Sequence, residues 1–82
     1  MTVYLSSKAD KQLKKLPQKM HAFILERIKA LGTSPFPGNS KKLVNRSGWR
    51  VRLGDYRILY TVNSRKKELT VLSVAHRKDA YR

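Results

Sequence analysis

The chain has no cysteine and only five acidic residues, Asp10, Glu26, Asp55, Glu68 and Asp79. Without cysteine there is no disulfide framework and no thiolate metal site. No two of the carboxylates fall at a helical or strand spacing, which argues against paired acids holding magnesium for hydrolysis. No apolar run reaches the ~18–20 residues of a membrane span. The opening residues Met1 to Leu5 lack the basic and apolar regions of a secretory signal. These absences predict a cytoplasmic protein with no membrane partner. There is no Gly-rich phosphate loop and no Ser–His–acid order, so no cofactor and no metal is implied. His21 falls inside an amphipathic pattern and reads as structural or exposed.

What the chain has is positive charge. Its 82 residues carry 19 lysines and arginines, for a net charge of +14. Hydrophobic residues make up 40%, including Trp49, four Tyr and two Phe, which is richer than a disordered basic tail. The charge therefore sits on a folded surface, where self-repulsion is relieved by a polyanion. Nucleic acid is the first candidate partner; a merely solvated basic surface is the alternative. The length predicts one domain over residues 1–82, with a small core.

Along the chain, Thr2–Leu5 is rich in β-formers and predicts a short strand. Ser6 and Ser7 are candidate N-caps. Ala9, Leu13 and Leu16 form a helical stripe, and Pro17 ends that helix or starts the next. Met20, Ile24, Ile28 and Leu31 trace the apolar face of a second helix, with Gly32 as its C-terminal cap. A loop follows to Ser40. Lys42–Val44 leads into the sheet or forms a short edge strand. The period then changes to two: Trp49–Leu53 and Tyr56–Val62 flank a Gly54–Asp55 hairpin turn, and Leu69–Ala75 forms a third strand. The expected fold is α+β: an N-terminal strand, a two-helix hairpin and an antiparallel three-stranded meander. The helices cover one face of the sheet.

A two-residue turn sets Leu53 opposite Tyr56, Arg52 opposite Arg57, Val51 opposite Ile58 and Arg50 opposite Leu59. Val51, Leu53, Tyr56 and Ile58 then face the helices, while Arg50, Arg52 and Arg57 face away. Parity along the third strand puts Leu72 and Val74 in the core and sends Arg77 to the basic face. Like charges directly opposed across strands destabilise a sheet. An anion between Arg52 and Arg57 removes that repulsion and suits the guanidinium fork.

Such a site can promote RNA cleavage without supplying a nucleophile, because RNA carries its own 2′-OH. The protein has to orient the phosphate, stabilise charge on its oxygens and move two protons. Clustered arginine serves the first two tasks. His76 can move a proton, and Tyr81 can stack on a base or assist.

The run from Trp49 to Tyr60 resembles the central hairpin of the RelE family of toxins. The run from Val74 to Arg82 resembles that family's C-terminal motif, and Ala9 to Pro17 resembles its first helix. The resemblance implies a RelE-like fold and a toxin of a type II toxin–antitoxin pair. Such toxins enter the ribosomal A site and cut mRNA there by 2′-OH attack, leaving a 2′,3′-cyclic or 3′ phosphate and a 5′-OH. Implied partners are the ribosome, its A-site rRNA, mRNA and a cognate acidic RelB-like antitoxin in a hetero-oligomer. Arg50 and Arg52 match two basic strand positions that contact RNA and support proton transfer. Arg57 and Arg77 match arginines that bind the scissile phosphate, and Tyr81 matches a tyrosine used in stacking and catalysis. Some members carry Lys where this chain has Arg50 and Arg52; arginine is the poorer proton shuttle, which moves the role of base from Arg52 towards His76. The step from Arg77 to Tyr81 is also shorter than in some members. The alternatives are a ParE-like DNA gyrase inhibitor without nuclease activity, and a plain RNA-binding module or inactive homologue. The arginine cluster with His76 and Tyr81 favours the nuclease.

Overall fold

The computed structural model describes residues 1–80, without the side chains of Asp79 and Ala80. The elements run β1 (Thr2–Leu5), α1 (Ser7–Lys14), α2 (Gln18–Thr33), β2 (Ser40–Lys42), β3 (Trp49–Leu53), β4 (Tyr56–Asn63), β5 (Glu68–His76) and α3 (Arg77–Ala80). The α+β class is as expected, but the sheet is larger than a meander. It has five strands in the order β1-β5-β4-β3-β2. The N-terminal strand pairs parallel with β5, from Thr2 opposite Glu68 to Leu5 opposite Val71. The other edge is Ser40–Lys42, antiparallel to β3.

Both helices lie on one face and bury their stripes against it. Ala9 and Leu13 from α1 join Ile24, Ile28 and Leu31 from α2, over Val51, Ile58, Tyr60, Leu69, Val71 and Val74 of the sheet. The side chain of Ser6 caps α1, its Oγ accepting from the amide of Ala9 at 3.0 Å. Pro17 opens α2. Gly32 does not cap that helix, which continues to Thr33. It is a point of close approach instead: a Cβ there would lie 2.8 Å from Val3 Cγ2 and 3.1 Å from the Met1 carbonyl. The N-terminal ammonium donates to the Gly32 carbonyl at 2.7 Å.

The pairing of β1 stops at Val71, so β5 runs on with an open edge. The start of α1 closes it. Ser6 donates its amide to Val71 O at 2.9 Å and its hydroxyl to Leu72 O at 2.8 Å. Gln12 Oε1 accepts from the Val74 amide at 2.6 Å. A buried N–H left without its acceptor costs about 1–3 kcal/mol, and an unpaired sheet edge invites pairing with another chain.

The register of β3 and β4 is the expected one, with Leu53–Tyr56, Arg52–Arg57, Val51–Ile58 and Arg50–Leu59 as partners. Strand β5 departs from simple parity. Leu59 pairs with Ser73 but Tyr60 pairs with Val71, so Leu72 is the extra residue of a bulge. Val71 and Val74 are both buried although three positions apart. The extra residue breaks the alternation, and Leu72 is half-buried rather than sharing the core side with Val74.

The loop between α2 and β2 is fastened over the end of the core. The hydroxyl of Tyr60 donates to Pro35 O at 2.7 Å, and the ring of Phe36 meets Trp49 at 4.6 Å between centroids. Burial raises the Tyr60 phenol above its ordinary 10.0, with a Ser40 hydrogen bond acting the other way. A group whose pKa rises on folding stabilises fully below its unfolded value, and that contribution is lost as pH climbs through the folded value. Tyr60→Phe is expected to cost about 1 kcal/mol near neutral pH, seen as a melting temperature lower by about 4–8 °C. Above pH 10.0 the wild type should lose stability more steeply than the variant, a comparison that denaturant titrations across alkaline pH would make.

A basic cleft beside the central hairpin turn

The turn between β3 and β4 has two residues. Gly54 has φ 62°, and Asp55 is not among the residues with positive φ. This matches a type II′ turn, whose twist suits the flanking strands and whose first central position calls for glycine. The tight turn leaves no room for slippage. Arg52 on β3 is therefore held opposite Arg57 on β4, on the face turned away from the helices.

The third arginine comes from the start of α3. Strand β5 ends at His76, yet Asp55 and Arg77 are the next positions in register after the Tyr56–His76 pair. The amide of Arg77 donates to the carbonyl of Asp55 at 2.6 Å, tying α3 to the hairpin turn. Arg52, Arg57 and Arg77 together line a cleft of about 100 Å³, closed by Gly54, Asp55 and Tyr56. Arg52 and Arg77 are exposed and Arg57 is half-buried.

The other expected site residues are distributed differently. Arg50 does not line this cleft; it lines a neighbouring hollow with Arg52, Lys41 and Asn39. His76 pairs with Tyr56, whereas Arg57 pairs with Ala75, which puts His76 on the strand face opposite Arg57. Its ring meets Tyr56 edge-on at 5.2 Å, and its Nδ1 accepts from the Lys78 amide at 3.2 Å. A neutral ring accepting at Nδ1 carries its hydrogen on Nε2. Tyr81 lies outside the described residues.

Two contributors were missed by the sequence reading. Tyr56 belongs by strand pattern with the core, yet it also lines the cleft, and its ring meets that of His76. The backbone carbonyl of Asp55 anchors Arg77. The signal for Tyr56 was available: the first residue after a hairpin turn stands at the open end of the sheet. Asp55 acts through its main chain, so its residue type carries little signal. Among the described residues, no group of three or more His, Asp or Glu side chains comes together.

Residues 3–81 match the family model described as the ParE toxin of type II toxin–antitoxin system, parDE. The chain belongs to the RelE/ParE superfamily of toxins. A chain of the archaeal RelE–RelB complex from Pyrococcus horikoshii is 30% identical to this RelE/ParE toxin, with a TM-score of 0.82 over 93% of both chains. A chain of the RelBE2 toxin–antitoxin complex from Mycobacterium tuberculosis is 28% identical, with a TM-score of 0.82 over 92% of this chain and 95% of that one. The isolated E. coli RelE toxin, at 19% identity, shares the fold, with a TM-score of 0.78 over 98% of this chain and 94% of that one. No curated protein sequence matches the chain. The protein is thus a toxin of a type II toxin–antitoxin system.

The cleft depends on the Gly54 backbone. An L side chain at this φ costs about 1–3 kcal/mol. Gly54→Ala is expected to lower the melting temperature by roughly 4–8 °C per kcal/mol lost. The Arg77 amide, held by the same turn, should then exchange with deuterium faster than in the wild type. Hydrogen exchange resolved by residue would test this, and unchanged protection at Arg77 would count against the tie to Asp55.

Proposed function

We propose that this toxin is a ribosome-dependent mRNA endonuclease that cleaves mRNA in the A site and so stops translation. The observation that carries the reading is the convergence of Arg52, Arg57 and Arg77 on one cleft. Three guanidinium groups around a small concavity suit a phosphate, whose oxygens take charge-assisted, forked hydrogen bonds. Further support comes from the similarity at 30% identity to a chain of an archaeal RelE–RelB complex.

On this reading Arg57 and Arg77 hold the scissile phosphate and Arg52 stands beside it. The 2′-oxygen attacks phosphorus and the bond to the 5′-oxygen breaks. One proton leaves the 2′-OH and one arrives at the 5′-oxygen. Arginines fixed before the reaction stabilise the charge that builds on the phosphoryl oxygens. Arg50 contacts the RNA further along, Arg52 or His76 moves the proton, and Tyr81 stacks on a base. The scarcity of acids favours a route without a protein-bound metal. The chemistry needs no cofactor, and its setting is the cytoplasm. The partners are the ribosome, mRNA and an acidic RelB-like antitoxin forming a hetero-oligomer, by analogy with the RelBE complexes. Among the described residues no helix is long and apolar enough to cross a membrane.

A second reading, inhibition of DNA gyrase without nuclease activity, is favoured by the ParE description of the matching family model. In vitro translation with purified toxin, with 5′ ends mapped on the mRNA, separates the two. The nuclease reading expects cuts at A-site codons. Arg57→Ala or Arg77→Ala should reduce cleavage about 100- to 1,000-fold. Full cleavage by both variants would overturn the site assignment. Intact mRNA with inhibited supercoiling would establish the gyrase reading.

A further inference from the structure

The basic face carries a second like-charge pair beside the first. Lys41 on β2 is the direct partner of Arg50 on β3, one step along β3 from the Arg52–Arg57 pair on the same face. Lys41, Arg50, Arg52 and Asn39 line a separate hollow of about 250 Å³. Asn39 Nδ2 donates to the Arg52 carbonyl at 3.1 Å, fastening the end of the α2–β2 loop against β3. Among the described residues no carboxylate pairs with Lys41 or Arg50. A sheet edge with cations opposed across strands is destabilised, and an anion between them reverses the sign of that term.

We propose that this hollow is a second phosphate subsite, which holds a backbone phosphodiester neighbouring the scissile one in the same RNA strand. The inference rests on the nuclease reading above and deepens it. The two depressions share Arg52. Arg50 and Arg52 stand about 6.8 Å apart along one face of β3, on the order of the separation between successive phosphates of an extended strand. Two cationic hollows on one face, joined by a common guanidinium, fit a polymer with regularly placed anions better than any single small anion. The subsite divides the work of the arginines: Arg57 and Arg77 hold the phosphate that reacts, while Lys41 and Arg50 hold its neighbour and set the register of the strand. Lys41 is a binding residue here, and its loss weakens association without slowing the chemical step.

The test uses the full-length toxin on ribosomes programmed with mRNA, under single-turnover conditions. Lys41→Gln is expected to raise the toxin concentration for half-maximal rate about 10-fold. The maximal rate should stay unchanged, and Lys41→Arg should restore binding. The mRNA is then made with a neutral methylphosphonate at each phosphate flanking the cleaved one in turn. At one position this should weaken the wild type about as much as Lys41→Gln does, with no further loss when both changes are combined. Additive losses would mean that Lys41 contacts ribosomal RNA rather than the substrate strand, and would overturn the subsite. So would an unchanged half-maximal concentration in Lys41→Gln, or a fall in maximal rate that Lys41→Arg does not repair. Absence of cleavage by the wild type would remove the nuclease reading and the subsite together; normal wild-type cleavage with an indifferent Lys41 removes the subsite alone.

Discussion

Leu53 meets Tyr56 across a turn of two residues, and that pairing decides which way every side chain of β3 and β4 faces. A slip of β3 by one residue would drive Arg50 and Arg52 into the helix-covered side and turn Val51 outward. The core and the basic face are therefore two readings of one register. Burial of Val51 and Ile58 opposes any slip, because each fully buried aliphatic side chain contributes about 1.5–3 kcal/mol. The apolar side of the sheet thus holds the guanidinium groups at fixed places on the other side.

Cations opposed across strands, as Lys41 is to Arg50, cost stability. A small domain has little margin for this, and the structure concentrates its reinforcements elsewhere. The open edge of β5 is closed by Ser6 and Gln12 rather than left for another strand. The α2–β2 loop is held by the phenol of Tyr60, and the N-terminus is tied to Gly32. A ligand that binds only the folded form adds stability by mass action. A polyanion on the basic face therefore strengthens the fold as well as occupying it, and the site and the stability of the molecule are thermodynamically linked.

The parts of the structure legible in the sequence are those governed by local pattern. Strict alternation around Gly54–Asp55 specified the register and the facing of three arginines, because strand period and turn length leave one solution. The helical stripes of Ala9–Leu13 and Ile24–Ile28–Leu31 were equally readable. The parallel pairing of β1 with β5 was not, since it joins residues more than sixty positions apart and no local signal marks it. The bulge at Leu72 was hidden because Leu72, Ser73 and Val74 are compatible with either phase of an alternating strand. Gly32 looked like a cap because glycine near a helix end usually serves there, yet here the missing Cβ admits β1. Arg77 lines the cleft with Arg52 and Arg57, two positions after Ala75, the partner of Arg57, and its main-chain hydrogen bond to Asp55 lies one rung past the Tyr56–His76 pair.

The same distinction bears on proton transfer. A guanidinium is a poorer proton shuttle than an imidazole, so the three arginines supply mainly charge and geometry. On the nuclease reading this turns attention to His76 for the proton of the 2′-OH. Tyr56 lines the cleft and touches the ring of His76 edge-on, whereas His76 itself lies on the strand face away from Arg57. A direct transfer from RNA to His76 would require the imidazole to come round the end of β5, giving up the Lys78 amide that Nδ1 now holds. That bond fixes the start of α3, where Arg77 is also held. Any movement that brings His76 towards the phosphate therefore perturbs one of the groups that binds it, and the two functions are coupled through three consecutive residues, His76, Arg77 and Lys78.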